Sequence, residues 1–335
     1  MRAAVTWMER RQIALYLAGL ALGAFIGRLV PSAAHPAEAA ILPVLALLLY
    51  ATFLGIPFVR IGGAFRDWRF LAAVLVVNFI LVPAVVYVLS RIVAHDRVLL
   101  VGVLFVLLTP CIDYVIVFAG LAGGDTRRLL VASPLLMIAQ MVLLPLYLWA
   151  FIGPEFVDSV EFGPFIDAFL FIIVLPLLAA AVTQAAAARA RVGRAWRDAV
   201  IGTMVPLMVA TLAVVVASQI AGVSARLSSL LLTVPVYALF ATVMAPIGAV
   251  AGRLARLDVP GRRAIAFSGA TRNSLVVLPL VLALPSSFDL APLVVVTQTL
   301  VELIVMVVFV RLIPRLIPMS TPAEVREADV RKRSA

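Results

Sequence analysis

The chain has 335 residues, of which 64% are hydrophobic and 13% charged, with a mean hydropathy of +1.16 and a formal net charge of +10. Soluble domains run near half apolar and about a quarter charged, so an ordinary soluble domain is excluded, and no stretch is left over for a separate one. The positive charge invites a nucleic-acid reading, but arginines held in short loops on one side of a membrane explain it better, and no nucleic-acid partner is expected.

A spanning helix needs about 20 mostly apolar residues. The pattern predicts ten spans, at 13–31, 38–59, 70–90, 98–121, 129–152, 164–187, 198–220, 228–251, 263–284 and 290–313. The first follows Arg2, Arg10 and Arg11 and could pass for a signal peptide. Its apolar run, Ile13 to Val30, is longer than a usual signal core, so it is taken as a span. Arg60, Arg66 and Arg69 follow span 2, and Arg127 and Arg128 follow span 4. Arg189, Arg191, Arg194 and Arg197 follow span 6, and Arg253, Arg256, Arg262 and Arg263 follow span 8. The tail 320–335 is charged, and is expected to be disordered and cytoplasmic. Of 27 basic residues, 22 fall on one side and 4 on the other, with Arg272 inside a span. Basic loops are retained in the cytoplasm, which places both termini there and the protein in the cell's inner (plasma) membrane.

Ten spans divide into a first repeat at about 13–152 and a second at about 164–313, within one transmembrane domain, 1–319. Five is odd, so the second half enters from the opposite side and forms an inverted repeat. The acidic loop with Glu155, Asp158 and Glu161 separates the halves. The fold class is therefore all-α and polytopic, with the fourth helix of each half, spans 4 and 9, interrupted by polar residues at mid-membrane.

Span 4 is interrupted at Thr109, Pro110, Cys111, Ile112 and Asp113. Proline removes a backbone donor, and the freed carbonyls must be satisfied inside the protein because lipid cannot do it. A carboxylate at this depth faces a cavity or a partner. Span 9 is interrupted around Gly269, Ala270, Thr271, Arg272, Asn273 and Ser274. An arginine here cannot snorkel to the surface and needs a counter-charge. Asp113 and Glu302 are the placed acids, and Asp113 is the expected partner because it sits at the equivalent depth of the equivalent helix. Such a pair could equally be a fixed structural tie. Span 10 adds Thr297, Gln298, Thr299 and Glu302, with 298 and 302 on one face. Asn78 in span 3 is either a site residue or a helix-to-helix hydrogen bond.

Cys111 is the only cysteine, so no disulfide forms within the chain. His35 and His95 fall in expected loops. No paired intramembrane aspartates, serine–histidine pair or HExxH motif is present, and the Gly-Gly-Asp at 123–125 reads as a turn. No enzyme and no cofactor is expected.

At these residues the chain resembles the arsenite-efflux (arsenical-resistance) permeases of the bile acid/sodium symporter superfamily. The similarity lies in Cys111-Ile112, Val115-Ile116-Val117, Leu121-Ala122 and Gly124-Asp125, with Gln140, Asn78-Phe79 and Pro83. Arg194, Trp196, Pro206, Thr271 to Ser274 and Glu302 carry it through the second half. The resemblance implies a ten-helix permease with a core of two crossing broken helices and a smaller panel. It implies arsenite, and with it antimonite, extruded on the proton gradient, with Cys111 as the ligand of the trivalent metalloid. A thiolate suits such a soft centre. On this reading Thr109, Cys111, Arg272, Asn273 and Ser274 bind substrate, Asp113, Gln298 and Glu302 couple the ion, and Pro110 and Gly269 break the helices. The permeases usually carry arginine before the cysteine and an acid in the span-9 break. Here Pro110 stands in the first place and no acid in the second, as though the charges had exchanged helices. The alternative is a sodium-coupled symporter of an organic anion, with Arg272 meeting the anion and sodium as the coupling ion.

Overall fold

The computed structural model describes residues 5–8, 11–55, 65–112, 114–153, 169–223 and 227–318. Asp113, the acidic loop at Glu155, Asp158 and Glu161, and the expected tail 320–335 lie outside the described residues.

Those residues are helical almost throughout, with no strand beyond a single isolated bridge. The protein is an all-α polytopic membrane protein. Helices α1 (Gln12–Leu29), α2 (Ala34–Gly55) and α3 (Trp68–Val93) open the chain. Span 4 is two half-helices, α4a (Arg97–Leu107) and α4b (Tyr114–Leu121). Then come α5 (Thr126–Ile152), α6 (Leu175–Arg189), α7 (Met204–Val223) and α8 (Thr233–Leu254). Span 9 is also split, into α9a (Val259–Ala270) and α9b (Ser274–Leu282), and α10 (Ala291–Leu316) follows. Among the described residues α2, α3, α5, α8 and the segment Ser286–Leu316 are each long and apolar enough to cross a bilayer unaided.

Three details differ from the sequence reading. The basic stretch after span 6 is a helix of its own, Arg191–Ile201, set about 40° to α7 and ended by a turn at Gly202. His35 lies in the first turn of α2, not in a loop. Gly269 lies in the last turn of α9a, not in the break, which begins one residue beyond Ala270.

The helices pack in two groups. In the first, α1 packs on α7, α7 on α2, and α2 on α6. Gly19, Gly23 and Gly27 of α1 face Val209, Ala213 and Ala217 of α7, and a methyl group added at Gly23 would lie 2.3 Å from the Ala213 carbonyl oxygen. This four-residue spacing of small residues lets two backbones touch where apolar lipid offers no hydrophobic drive for association. The second group holds α3, both broken spans, α5, α8 and α10.

Within α3 the helix widens into a π-turn at Val77–Leu81. Pro83 cannot donate to the Phe79 carbonyl four residues back. The Tyr147 hydroxyl of α5 donates to that oxygen instead, at 2.5 Å.

The arginine-rich end is fastened by two side chains. Arg128 bonds Asp67 at 2.8 Å, Asp125 at 3.3 Å and also Asp258. These three aspartates cap the N-termini of α3, α5 and α9a through the amides of Phe70, Arg128 and Gly261. One cation therefore ties three acidic caps, each already favoured at the positive end of its helix. Arg263 does the converse, donating to the Ala122 carbonyl past α4b at 2.8 Å and to the Ile317 carbonyl past α10 at 2.8 and 3.0 Å. The turn between α4b and α5 needs Gly123, whose φ of +68° costs a glycine nothing.

Candidate functional site at the crossing of the broken helices

The two breaks meet. Pro110 and Arg272 face each other as an antiparallel bridge. The Cys111 amide donates to the Thr271 carbonyl at 3.4 Å, and the Asn273 amide donates to the Thr109 carbonyl at 2.9 Å. Each break therefore supplies the donors and acceptors that the other lost when its helix ended, as an apolar surrounding requires. The halves match residue for residue. Thr109 donates its hydroxyl to the Phe105 carbonyl at 2.9 Å, and Thr271 donates to the Phe267 carbonyl at 2.8 Å. Each threonine thus closes the last turn of its half-helix four residues back. Thr109, Cys111, Thr271, Arg272, Asn273 and Ser274 are all at most 1% exposed.

Arg272 turns its guanidinium away from the first helix group and into the second. Its Nη2 donates to Asn78 Oδ1 at 2.7 Å and to the Ser268 and Gly269 carbonyls at 2.7 and 3.0 Å. Its Nη1 donates to the Leu107 carbonyl at 3.4 Å. The guanidinium carbon lies 5.4 Å from the Phe240 ring centre, within cation–π range. Asn78 is oriented from its other side, donating to Ser268 Oγ at 3.0 Å and to the Val74 carbonyl at 2.9 Å. The π-turn presents Asn78 for this, as such turns often do at functional sites. Gly269 permits the approach, because a methyl group there would stand 2.8 Å from Val77.

The expected partner of Arg272, Asp113, is outside the described residues. Glu302, the other placed acid, joins the crossing through the backbone: the Arg272 amide donates to its Oε2 at 2.7 Å. Gln298, one turn earlier on α10, donates through Nε2 to the same oxygen. Ser274 and Thr299 share a hydrogen bond of 2.6 Å. Asn273 caps α9b, its Oδ1 accepting from the Val276 amide at 3.3 Å. Among the described residues, Asn273 Nδ2 and Gln298 Oε1 are buried without a hydrogen-bond partner, an expensive condition for polar atoms in a native interior. Both atoms have capacity left for a ligand at the crossing.

Thr109, Cys111, Arg272, Asn273, Ser274, Gln298 and Glu302 are thus brought together, and Gly269 lies beside them as a packing residue. The sequence reading left Asn78 undecided and did not mark Ser133, whose hydroxyl lies 3.3 Å from the carbonyl of Ile112 in the first break. Its only sequence signal was a hydroxyl inside an apolar helix.

Between the two helix groups, at the arginine-rich end, lies a cavity of about 400 Å³. It reaches the crossing at Ile112, and Gln12, Tyr16, Thr52, Met204 and Met208 are among its walls. At the opposite end Thr211, Ser274 and Thr299 border a crevice with no room for a water molecule. Among the described residues, the cavity at the arginine-rich end is the roomier approach to the crossing.

A family model described as the Sodium Bile acid symporter family matches residues 42–226, more than half of the chain. The chain belongs to the sodium bile acid symporter family. Its members are transporters, so this bile acid/sodium symporter homologue is a multi-pass secondary transporter with a small-molecule substrate. The matched stretch holds the span-4 break and ends before α9a, so the second break is known from the sequence and the fold. Curated proteins give no match to the chain.

Proposed function

We propose that the protein extrudes arsenite, and with it antimonite, across the cell's inner membrane on the proton gradient. The observation that carries this reading is the place of the one thiol: Cys111 stands at the crossing, its amide bonded to the opposite break. Sulfur is a soft ligand matched to a soft trivalent centre. Capture is an exchange at arsenic. One As–O bond breaks, one As–S bond forms, and the thiol proton leaves with the hydroxyl as water. One cysteine gives one such bond, which suits capture and release rather than storage. Cys111 is closed in by its neighbours, so loading needs the two helix groups to part along the cavity that already reaches Ile112.

The arginine-rich end faces the cytoplasm on this reading, with both termini there, because basic loops are retained inside. The 400 Å³ cavity then opens on the side from which an exporter loads. Glu302 is the proton carrier, a buried carboxylate held by one backbone amide and one side-chain amide at the crossing. Asp113 is proposed as a second coupling carboxylate.

A second reading, symport of an organic anion with sodium, has its own support. The cavity has mostly apolar walls and lies within the size range of pockets for drug-sized ligands, larger than arsenite needs. Everted vesicles separate the two. Arsenite uptake driven by an imposed proton gradient supports extrusion. Accumulation of a bile acid on a sodium gradient, with none of arsenite, supports the second reading and sinks the first.

A further inference from the structure

Half-helices that end at mid-membrane aim the negative ends of their dipoles, and their unsatisfied carbonyls, at one point. In transporters built this way, such ends and unwound carbonyls hold the sodium or proton that couples transport. Here that position is already filled by a side chain. The Arg272 guanidinium lies within hydrogen-bond distance of Ser268 and Gly269 at the end of α9a, of Leu107 at the end of α4a, and of Asn78 Oδ1. Among the described residues, four oxygens from three elements lie around it, with the Phe240 ring across one face. The residue is 0% exposed.

We propose that Arg272 is a resident cation occupying the coupling-ion position of the crossing, so that this transporter works without sodium.

The chemistry separates a tethered guanidinium from an exchangeable ion. Arginine does not lose its proton in proteins, and it cannot leave, being covalently part of the second break. The positive charge that stabilises the two C-terminal ends is therefore present in every state of the cycle. A sodium ion arriving at the same oxygens would meet a like charge at contact distance in a medium of low dielectric. The carbonyls that would bind it are already donated to. Any proton coupling falls to carboxylates such as Glu302, which meets the break at the Arg272 backbone amide.

The inference rests on the protein being a transporter of this architecture and not on which substrate it carries, so it is tested without a substrate. The purified full chain is melted in detergent in sodium, potassium or choline chloride at equal ionic strength. The unsubstituted protein is expected to show the same Tm in all three. A saturable, sodium-specific rise in Tm overturns the proposal, whatever the outcome of arsenite transport. Arg272→Ala exposes the cage. Its Tm is expected to fall and to be raised again by methylguanidinium or by sodium, saturably and more than by choline. Arg272→Ala melting at the unsubstituted temperature, indifferent to all the cations, also overturns it. If Arg272→Ala does not fold, the sodium comparison on the unsubstituted chain and on Arg272→Lys decides, and Arg272→Lys is expected to stay indifferent to sodium.

Discussion

The Asn273 amide donates to the Thr109 carbonyl across the crossing at 2.9 Å, and the Cys111 amide answers with a bond to Thr271. Two breaks 160 residues apart in sequence thereby complete each other's backbone, which neither could do in lipid. Placing Cys111, Asn273 and the two threonines follows from this reciprocity. The guanidinium of Arg272 then fills the space where both half-helices end.

Asn78 supplies a side-chain oxygen to that guanidinium's shell. Asn78→Ala should lower stability by about 1.5–3 kcal/mol, the range for a hydrogen bond to a charged group. Asn78→Asp keeps an acceptor and should lose less. Thermal melts of the two purified variants against the unsubstituted chain check this, and equal losses would show that the oxygen is not what matters.

The contact of α1 with α7 is backbone on backbone. Gly23→Leu cannot be absorbed, because the first carbon already lies 2.3 Å from the Ala213 carbonyl oxygen. A loss of about 1–3 kcal/mol is expected from overpacking. Gly55, with nothing within 4 Å, is the matched control. Gly55→Leu should cost far less in the same melt.

Arg128 joins three helix caps from a partly exposed position, with side-chain exposures of 29% for itself and 38%, 26% and 53% for Asp67, Asp125 and Asp258. Solvent screening limits Arg128→Gln to a loss of about 1 kcal/mol, shrinking as salt is raised. Burial alone would lower the guanidinium's pKa. The hydrogen bond and charge of Asp258, with Asp67 and Asp125, outweigh that and raise it. A raised cation contributes fully below its unfolded value and is lost only as pH rises through the folded one. Both lie far above neutrality, so the Tm difference between the two proteins should stay constant as pH is varied around 7.

The cavity predicts a steric variant that spares the crossing. Thr52→Trp projects bulk from α2 into the 400 Å³ space. Transport should fall to a small fraction of the unsubstituted rate with Tm little changed. Unimpaired transport would mean that substrate takes another route.

Much of this arrangement was legible in the sequence, for physical reasons. A proline beside polar residues, and an arginine among apolar ones, cannot sit in an unbroken lipid-facing helix. The breaks at Pro110 and Arg272 therefore followed from residue type alone. What was not legible depended on partners far away in sequence. The fit of Gly19, Gly23 and Gly27 against α7 needs both helices in place. The role of Asn78 needed the π-turn that presents it to a residue 194 positions on. Gly269 adjoins the polar stretch of span 9 and so reads as part of the break; its close approach to Val77 needs the folded helices. The basic run Arg189 to Arg197 reads as a loop between spans 6 and 7, whereas a separate helix spans Arg191–Ile201.

The most direct measurement is arsenite uptake into everted membrane vesicles by the unsubstituted protein and by Cys111→Ser at matched protein levels. Proton-driven uptake that disappears with the thiol is the predicted result. Equal uptake by the two would contradict the assignment of Cys111, and with it the account of arsenite capture at the crossing.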